Sequence, residues 1–313
     1  MEETIQELSA PVETTTASTG ISTVQGVMWG REILDAAKLK MFFEQFASII
    51  DVPQGFRDYE MPIASTNLDF TLELDEATDR TMTEITNLNT VTFTPTSRKL
   101  GVAVSRDVIR TSQVDILRFA REQMVYDAAR NVDTDLATAI TAATGATDLF
   151  GGAATSEATL VAGDVLTTDL IAEGQSVLKQ VGWMPEPDRP FVLFISAISE
   201  EVLLKDSQFV NAAEYGDQSV IMNGEIGRYL GVRVIVSEFV ESFADGGAGG
   251  NLDGHRVLLL KAMVSYGLAW GERPFLDSEY WKLGAESRLS LDMTYDAEPL
   301  PENAIVIIRV LDA

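Results

Sequence analysis

The chain has 313 residues, 46% of them hydrophobic, enough to bury a sizeable core as one large or two ordinary domains. Its 48 acidic against 23 basic residues give a formal net charge of −25, which repels phosphate backbones at long range and argues against a sequence-reading nucleic-acid binder. With no Cys and one His it lacks disulfides, thiolate metal sites and the usual nucleophile-and-base pairs, and no apolar run approaches the roughly 18 residues of a membrane span.

Residues 1 to about 26 are rich in Thr, Ser and Glu and read as an arm, ordered only where a neighbour orders it. From Trp29 to Ile49 a helical stripe of Ile33, Leu34, Ala37, Met41, Phe42, Phe46 and Ile49 runs towards the Pro53-Gln54-Gly55 turn. An apolar helix this far from the main body needs a surface, on its own chain or on the next subunit, so Met41, Phe42 and Phe46 are candidate contact residues.

Between Phe56 and Val104 the period switches to two. Leu68, Phe70, Leu72 and Leu74 alternate with polar residues, a polar tip spans Asp75 to Thr83, and a second β-prone run passes through Val91 and Phe93. This predicts a long two-stranded arm. Such a hairpin has too little to bury by itself, so its apolar face calls for a partner surface, the alternative being a hairpin folded back on its own domain. Lys99 to Val104 then gives a short strand.

The longest predicted element is one helix from Ser112 to Gly145, roughly 45 Å at 1.5 Å per residue. Ile116, Leu117, Ala120, Met124, Ala128, Val132, Leu136 and Ile140 form its apolar stripe. Ser112 and Asp115 are placed to cap its start and Gly145 to close its end. Asp115 with Arg118, Arg118 with Glu122, and Asp127 with Arg130 are spaced to pair on the solvated face.

Further on, Thr168 is placed to cap a helix carrying Leu170, Ile171, Gly174, Val177, Leu178 and Val181, stopped by Gly182 and the Pro185, Pro187, Pro190 cluster. Phe191 to Ile195 is a continuous apolar run, as in a buried strand, and Ser196 caps a short helix through Val202, Leu203 and Leu204. With the Gly-turned segment Asn223 to Ser237 and the strand-like Val257 to Leu260, these describe a compact α/β unit. Leu289 to Tyr295 and Ala304 to Leu311, around Pro299 and Pro301, read as a long β-hairpin.

Chemistry-bearing motifs are missing. No Gly-Lys-Ser or Gly-Lys-Thr occurs, and Gly224, Gly227 and Gly231 precede a strand where a dinucleotide fingerprint requires a helix. Gly246, Gly247, Gly249 and Gly250 mark a flexible loop. His255, beside Gly254, reads as a lone surface imidazole without partners for zinc. No catalytic residue, metal or cofactor is expected.

The run KLGVAVSRDVIRTSQVDILRFAREQMVYDAARNVDTDLATAI, with Lys99-Leu100, Ser105 and Asp133, resembles the major capsid proteins of tailed phages, built on the fold first described for a Hong Kong phage. LLKDSQFVNAAEYGD followed by NGEIGRYLGVRVIVSE, Leu203 to Glu238, is similar to that family's axial-domain region. The serial order of arm, hairpin, long helix, α/β domain and returning β-hairpin carries the resemblance across nearly the whole chain.

The resemblance implies an α+β fold with an N-terminal arm (1–55), an extended loop (56–104) lying over a neighbour, a peripheral domain with the spine helix (105–160 and 271–313) and an axial domain (161–270). It implies a self-assembling shell subunit in pentamers and hexamers, located in the virion capsid, assembled in the host cytoplasm and enclosing double-stranded DNA without sequence-specific contacts. Contact residues would be Leu68, Phe70, Leu72, Leu74, Met41, Phe42 and Phe46. Neither enzymatic activity nor membrane association is expected. A portal is an expected partner, and a separate scaffolding protein is another, because only some fifty residues precede the loop where some members fuse a scaffolding domain. Some members also crosslink a loop Lys to a peripheral-domain Asn. All seven Lys here (Lys38, Lys40, Lys99, Lys179, Lys205, Lys261, Lys282) lie outside residues 41 to 98, against that chemistry. An encapsulin-type nanocompartment shell, which shares the fold and encloses a cargo enzyme, is the alternative.

Overall fold

The structure is a computed structural model that describes residues 42–53, 55–64, 88–112, 115–205, 225–229, 231–247, 250 and 252–312. In chain order the elements are α1 (Phe43–Phe46), β1 (Ser48–Asp51), β2 (Tyr59–Ala64), β3 (Leu88–Phe93), β4 (Thr96–Ser105), α2 (Arg106–Thr111), α3 (Ile116–Thr141), β5 (Thr147–Phe150), α4 (Thr168–Gln180), β6 (Phe191–Ile195) and α5 (Ala197–Lys205). There follow β7 (Glu225–Tyr229), β8 (Val232–Val236), β9 (Ser242–Gly246), β10 (Leu252–Lys261), β11 (Tyr266–Trp281), β12 (Glu286–Pro299) and β13 (Ile305–Leu311). Within the described residues one compact unit comprises Lys99–Asp127 and Phe275–Asp292, and the other covers 42–98, Ala128–Pro274 and 293–312.

The larger unit is built on a seven-stranded sheet in the order β5-β13-β10-β6-β8-β7, with β9 pairing β10. The β13–β5 and β6–β8 pairs are parallel. All five residues of β6 are buried, as its unbroken apolar sequence predicts for a strand covered on both faces. On one face Leu170, Ile171 and Leu178 of α4 join Leu193, Val257, Leu259, Val306 and Ile308 in a single core. The helix sits close to the sheet because Gly174 has no side chain: a Cβ there would lie 2.8 Å from Leu259 Cδ2. Thr167, one residue before the expected Thr168, caps α4 by accepting from the Leu170 N–H, Thr168 being the first helical residue, and Ser196 caps α5 by accepting from the Ser199 N–H.

The predicted hairpin over the last third is corrected here. β12 belongs to a four-stranded sheet of order β1-β11-β12-β4, whereas β13 lies in the seven-stranded sheet between β10 and β5. The burial patterns give the reason. β13 is buried at six of seven positions and needs cover on both faces, while β12 alternates from Leu289 to Tyr295 and needs one covered face.

The N-terminal helical expectation also changes. Among the described residues of that stretch only Phe43–Phe46 is helical, and Ser48–Asp51 pairs in parallel with β11, Ser48 opposite Gly267 and Asp51 opposite Trp270. The β-branched pair Ile49-Ile50 fits that pleated edge better than a helix. The part of the expectation over 29–41 lies outside the described residues.

The spine helix is α3, 26 residues and about 39 Å long. Its cap is Asp115, whose carboxylate accepts from the Arg118 N–H at 3.0 Å; Ser112 instead ends α2, donating its N–H to Val108 O. Met124, Ala128, Val132, Leu136 and Ile140 are buried as the stripe requires. On the solvated side Arg118 pairs with Glu122 at 2.8 Å.

The smaller unit holds α2, the adjoining part of β4, the start of α3 and the outer portions of β11 and β12. Ser105 caps α2 by accepting from the Val108 N–H, and the Arg106 N–H donates to Ala285 O at 2.8 Å, tying α2 to the β11–β12 turn. Two further expectations are revised. The glycine-rich stretch begins inside β9, and Gly247 and Gly250 take positive φ at the turn towards β10. His255 lies within β10, its side chain only 15% exposed, with Nδ1 2.6 Å from Asp312 Oδ1.

Candidate assembly surfaces

The β2–β3 ribbon is antiparallel, with Tyr59 opposite Phe93 and Ala64 opposite Leu88. Its alternation is visible in the burial. Tyr59, Met61, Ile63 and Val91 turn inward with Phe93 and pack on Val52, Ala269 and Leu300, while Glu60, Pro62, Thr90 and Thr92 are exposed. The base of the predicted arm is therefore anchored on its own chain. Leu68, Phe70, Leu72 and Leu74, expected as contact residues farther along it, lie outside the described residues, as does Met41.

The chain enters the larger unit through Phe42 to Phe46, and three groups clamp it there. Asp133 of α3 accepts the Phe42 N–H at 2.7 Å and the Phe43 N–H at 3.3 Å on one oxygen, and the Glu44 N–H at 3.1 Å on the other. Tyr266, fully buried on β11, donates its hydroxyl to Phe43 O at 2.6 Å. Phe43, absent from the sequence-derived contact set, stacks on Phe194 at 4.1 Å, and Phe46 meets the same ring edge-on at 5.9 Å. Phe46 is thus buried within its own chain and Phe42 is half-buried.

Asp133 is 1% exposed, and burial pushes its carboxyl up to about 6, against the opposing pull of the three amide N–H groups; Glu44 adds to the rise. Its position in the sequence carried the signal. It lies one helical turn before Ala137 and two before Ile140, both buried, so a carboxylate on that face requires donors from elsewhere. Burial also raises the Tyr266 phenol well above its usual range, with the Asp133 charge contributing. A second polar bracket sits farther along α3, where Asp135 accepts from the Tyr295 hydroxyl at 2.7 Å and from Arg98 at 3.1 Å.

In the smaller unit the β11–β12 hairpin exposes large apolar groups: Phe275 at 61%, Tyr280 at 47%, and Leu283 at 91% in the turn. Trp281 is covered on one face by the Arg288 guanidinium, 3.8 Å from its ring centroid. Periodicity gave no sign of these residues, because β11 is exposed at nearly every position from Gly271 to Trp281. Among the described residues no group of three His, Cys, Asp or Glu side chains is placed to hold a metal ion, and no helix is long and apolar enough to cross a membrane. The described residues thus offer one ribbon anchored on its own chain by its apolar face and one, β11–β12, with exposed apolar groups suited to packing against other protein surfaces.

A family model described as phage capsid protein matches residues 88–292, well over half of the chain. No curated protein matches the sequence at a significant level. Among solved structures, the capsid of Ralstonia phage GP4 aligns with TM-score 0.68 and 15% identity, covering 100% of this chain and 99% of that one. The capsid of Cyanophage Pam1 gives TM-score 0.73 at 14% identity over 96% and 99%, and that of Cyanophage P-SCSP1u gives 0.71 at 16% over 95% and 96%. At these identities the structures establish the α+β capsid fold, and none of these matches favours the nanocompartment alternative. The chain belongs to the phage capsid protein family and is a major capsid protein, a structural subunit of the virion shell.

Proposed function

We propose that this subunit assembles as pentamers and hexamers of a closed shell around packaged double-stranded DNA, with the loop 56–104 lying on an adjacent subunit. The observation that carries this reading is the β2–β3 ribbon. Its base finds its apolar partners in Val52, Ala269 and Leu300, while a separate apolar alternation, Leu68, Phe70, Leu72, Leu74, follows Ala64 in sequence, more apolar surface than a two-stranded ribbon buries by itself. Those four residues, with Met41 and Phe42, are the proposed subunit contacts. Phe46 spends its ring on Phe194.

The seven-stranded sheet with α4 and α5 is the proposed axial domain around capsomer centres, taking in β13 as well as 161–270. The four-stranded sheet with α3 is the proposed peripheral domain. A portal and a separate scaffolding protein are proposed partners, and the DNA is contacted without sequence reading, in keeping with the net charge of −25. The role is structural and not enzymatic: the one imidazole is engaged by Asp312, and the buried carboxylate of Asp133 serves backbone amides.

Full-length protein examined by sedimentation velocity and electron microscopy tests the reading. The wild type should give closed shells, and Phe70→Asp should leave soluble subunits with unchanged circular dichroism, because an unpaired carboxylate in the contact costs several kcal/mol, roughly. Failure of the wild type to close even with its scaffolding protein present, or shells from Phe70→Asp at the wild-type yield, would refute it.

A further inference from the structure

Residues 98–121 hold six Lys or Arg against Asp107 and Asp115, a net +4 inside a chain of net −25. Two of the six are engaged locally, Arg98 with Asp135 and Arg118 with Glu122. Lys99, Arg106, Arg110 and Arg121 are exposed and make no ion pair among the described residues, and the same holds for Lys282 in the β11–β12 turn. Unpaired cations are unexpected where acids outnumber bases about twofold, since nearly any folding brings a carboxylate within reach.

Their placement is ordered. Arg106 and Arg110 are one turn apart on α2 and share a face. The bond from the Arg106 N–H to Ala285 O brings α2 to the turn that carries Lys282.

We infer that Arg106, Arg110 and Lys282 form a docking strip for the acidic segment 65–87 of a second copy of this chain. That segment carries Asp69, Glu73, Asp75, Glu76, Asp79 and Glu84 against Arg80 alone, a net −5. The complementarity is between two parts of one sequence, so every subunit supplies both halves of the contact, as a repeating shell requires. DNA is a poorer occupant. A duplex approaching from solvent meets the field of the whole acidic chain first, whereas a neighbouring subunit is held within the roughly 8 Å over which the strip acts at physiological salt.

The inference rests on the proposed placement of the loop 56–104 on an adjacent subunit and adds what it binds there. Arg106→Glu with Arg110→Glu in the full-length protein should slow shell formation about tenfold or more in light scattering, with circular dichroism unchanged. Asp75→Lys with Glu76→Lys should do the same. All four substitutions together should restore assembly to near the wild-type rate, an outcome that a folding defect does not give. Wild-type rates from the arginine variant, or absence of rescue in the quadruple variant, overturn the inference. So does an arginine variant that closes shells normally and loses only DNA retention, which would assign the strip to phosphate. Wild-type protein that makes no shells at all, even with its scaffolding protein present, would instead refute the proposed function.

Discussion

Replacing Asp133 with Asn isolates the energetics of the clamp that receives the chain at Phe42. The wild-type carboxyl titrates at about 6 in the folded subunit against an ordinary 3.8. A raised folded value means that the folded state binds the proton more tightly, so the group's contribution to stability is complete below about 3.8 and is lost as pH rises through 6. The full loss is about 3 kcal/mol, and between pH 4.5 and 7 the part that changes is about 2 kcal/mol. Asn keeps one acceptor for the Phe42 and Phe43 N–H groups and opposes an amide to the Glu44 N–H, a penalty of about 1 kcal/mol that does not vary with pH. Urea unfolding of subunits at pH 4.5 and 7 should therefore show the wild type losing about 2 kcal/mol relative to Asp133→Asn as pH rises, all other titrating groups being common to both. A gap independent of pH, or one that widens in favour of the carboxylate at pH 7, would mean that the amide donors outweigh burial.

Tyr266→Phe removes the hydroxyl that donates to Phe43 O inside the core and should cost about 1–3 kcal/mol in the same assay, with no dependence on pH below 8. Gly174→Ala should destabilise by about 1–3 kcal/mol through overpacking against Leu259, and a gain of the ~1 kcal/mol that this change gives in an open helix would show that α4 can lift off the sheet freely.

Much of the fold was legible from local pattern. The stripe Met124, Ala128, Val132, Leu136, Ile140 gave α3, and the β-prone run through Val91 and Phe93 is β3. Neighbours in sequence misled where they are not neighbours in space. Leu289–Tyr295 and Ile305–Leu311 looked like two halves of a hairpin, yet one alternates and the other is continuously apolar, a difference that already required different sheets. Ile49 fell in register with a helical stripe and joined a strand, because pairing with Leu268 outweighs the propensity of a short segment. The clamp was only half visible. Asp133 stood out on an apolar face, but nothing local to it revealed that its donors are the amides of Phe42, Phe43 and Glu44, some 90 residues away.

The position of β13 inside the seven-stranded sheet sets a timetable for synthesis. Val306 pairs with Thr147 and Leu260 with Ile305, so a chain on the ribosome holds β5 and β10 with a missing strand between them. At about 5–20 residues per second the interval from the end of β10 at Lys261 to the start of β13 at Ile305 is roughly 2–9 s. Throughout it, Leu259 and the α4 face lack Val306 and Ile308, and the core cannot close. Shell-competent subunits are for this reason finished ones, and a chain cut short before Ile305 presents open sheet edges to proteases and chaperones in place of a surface that a growing shell would accept.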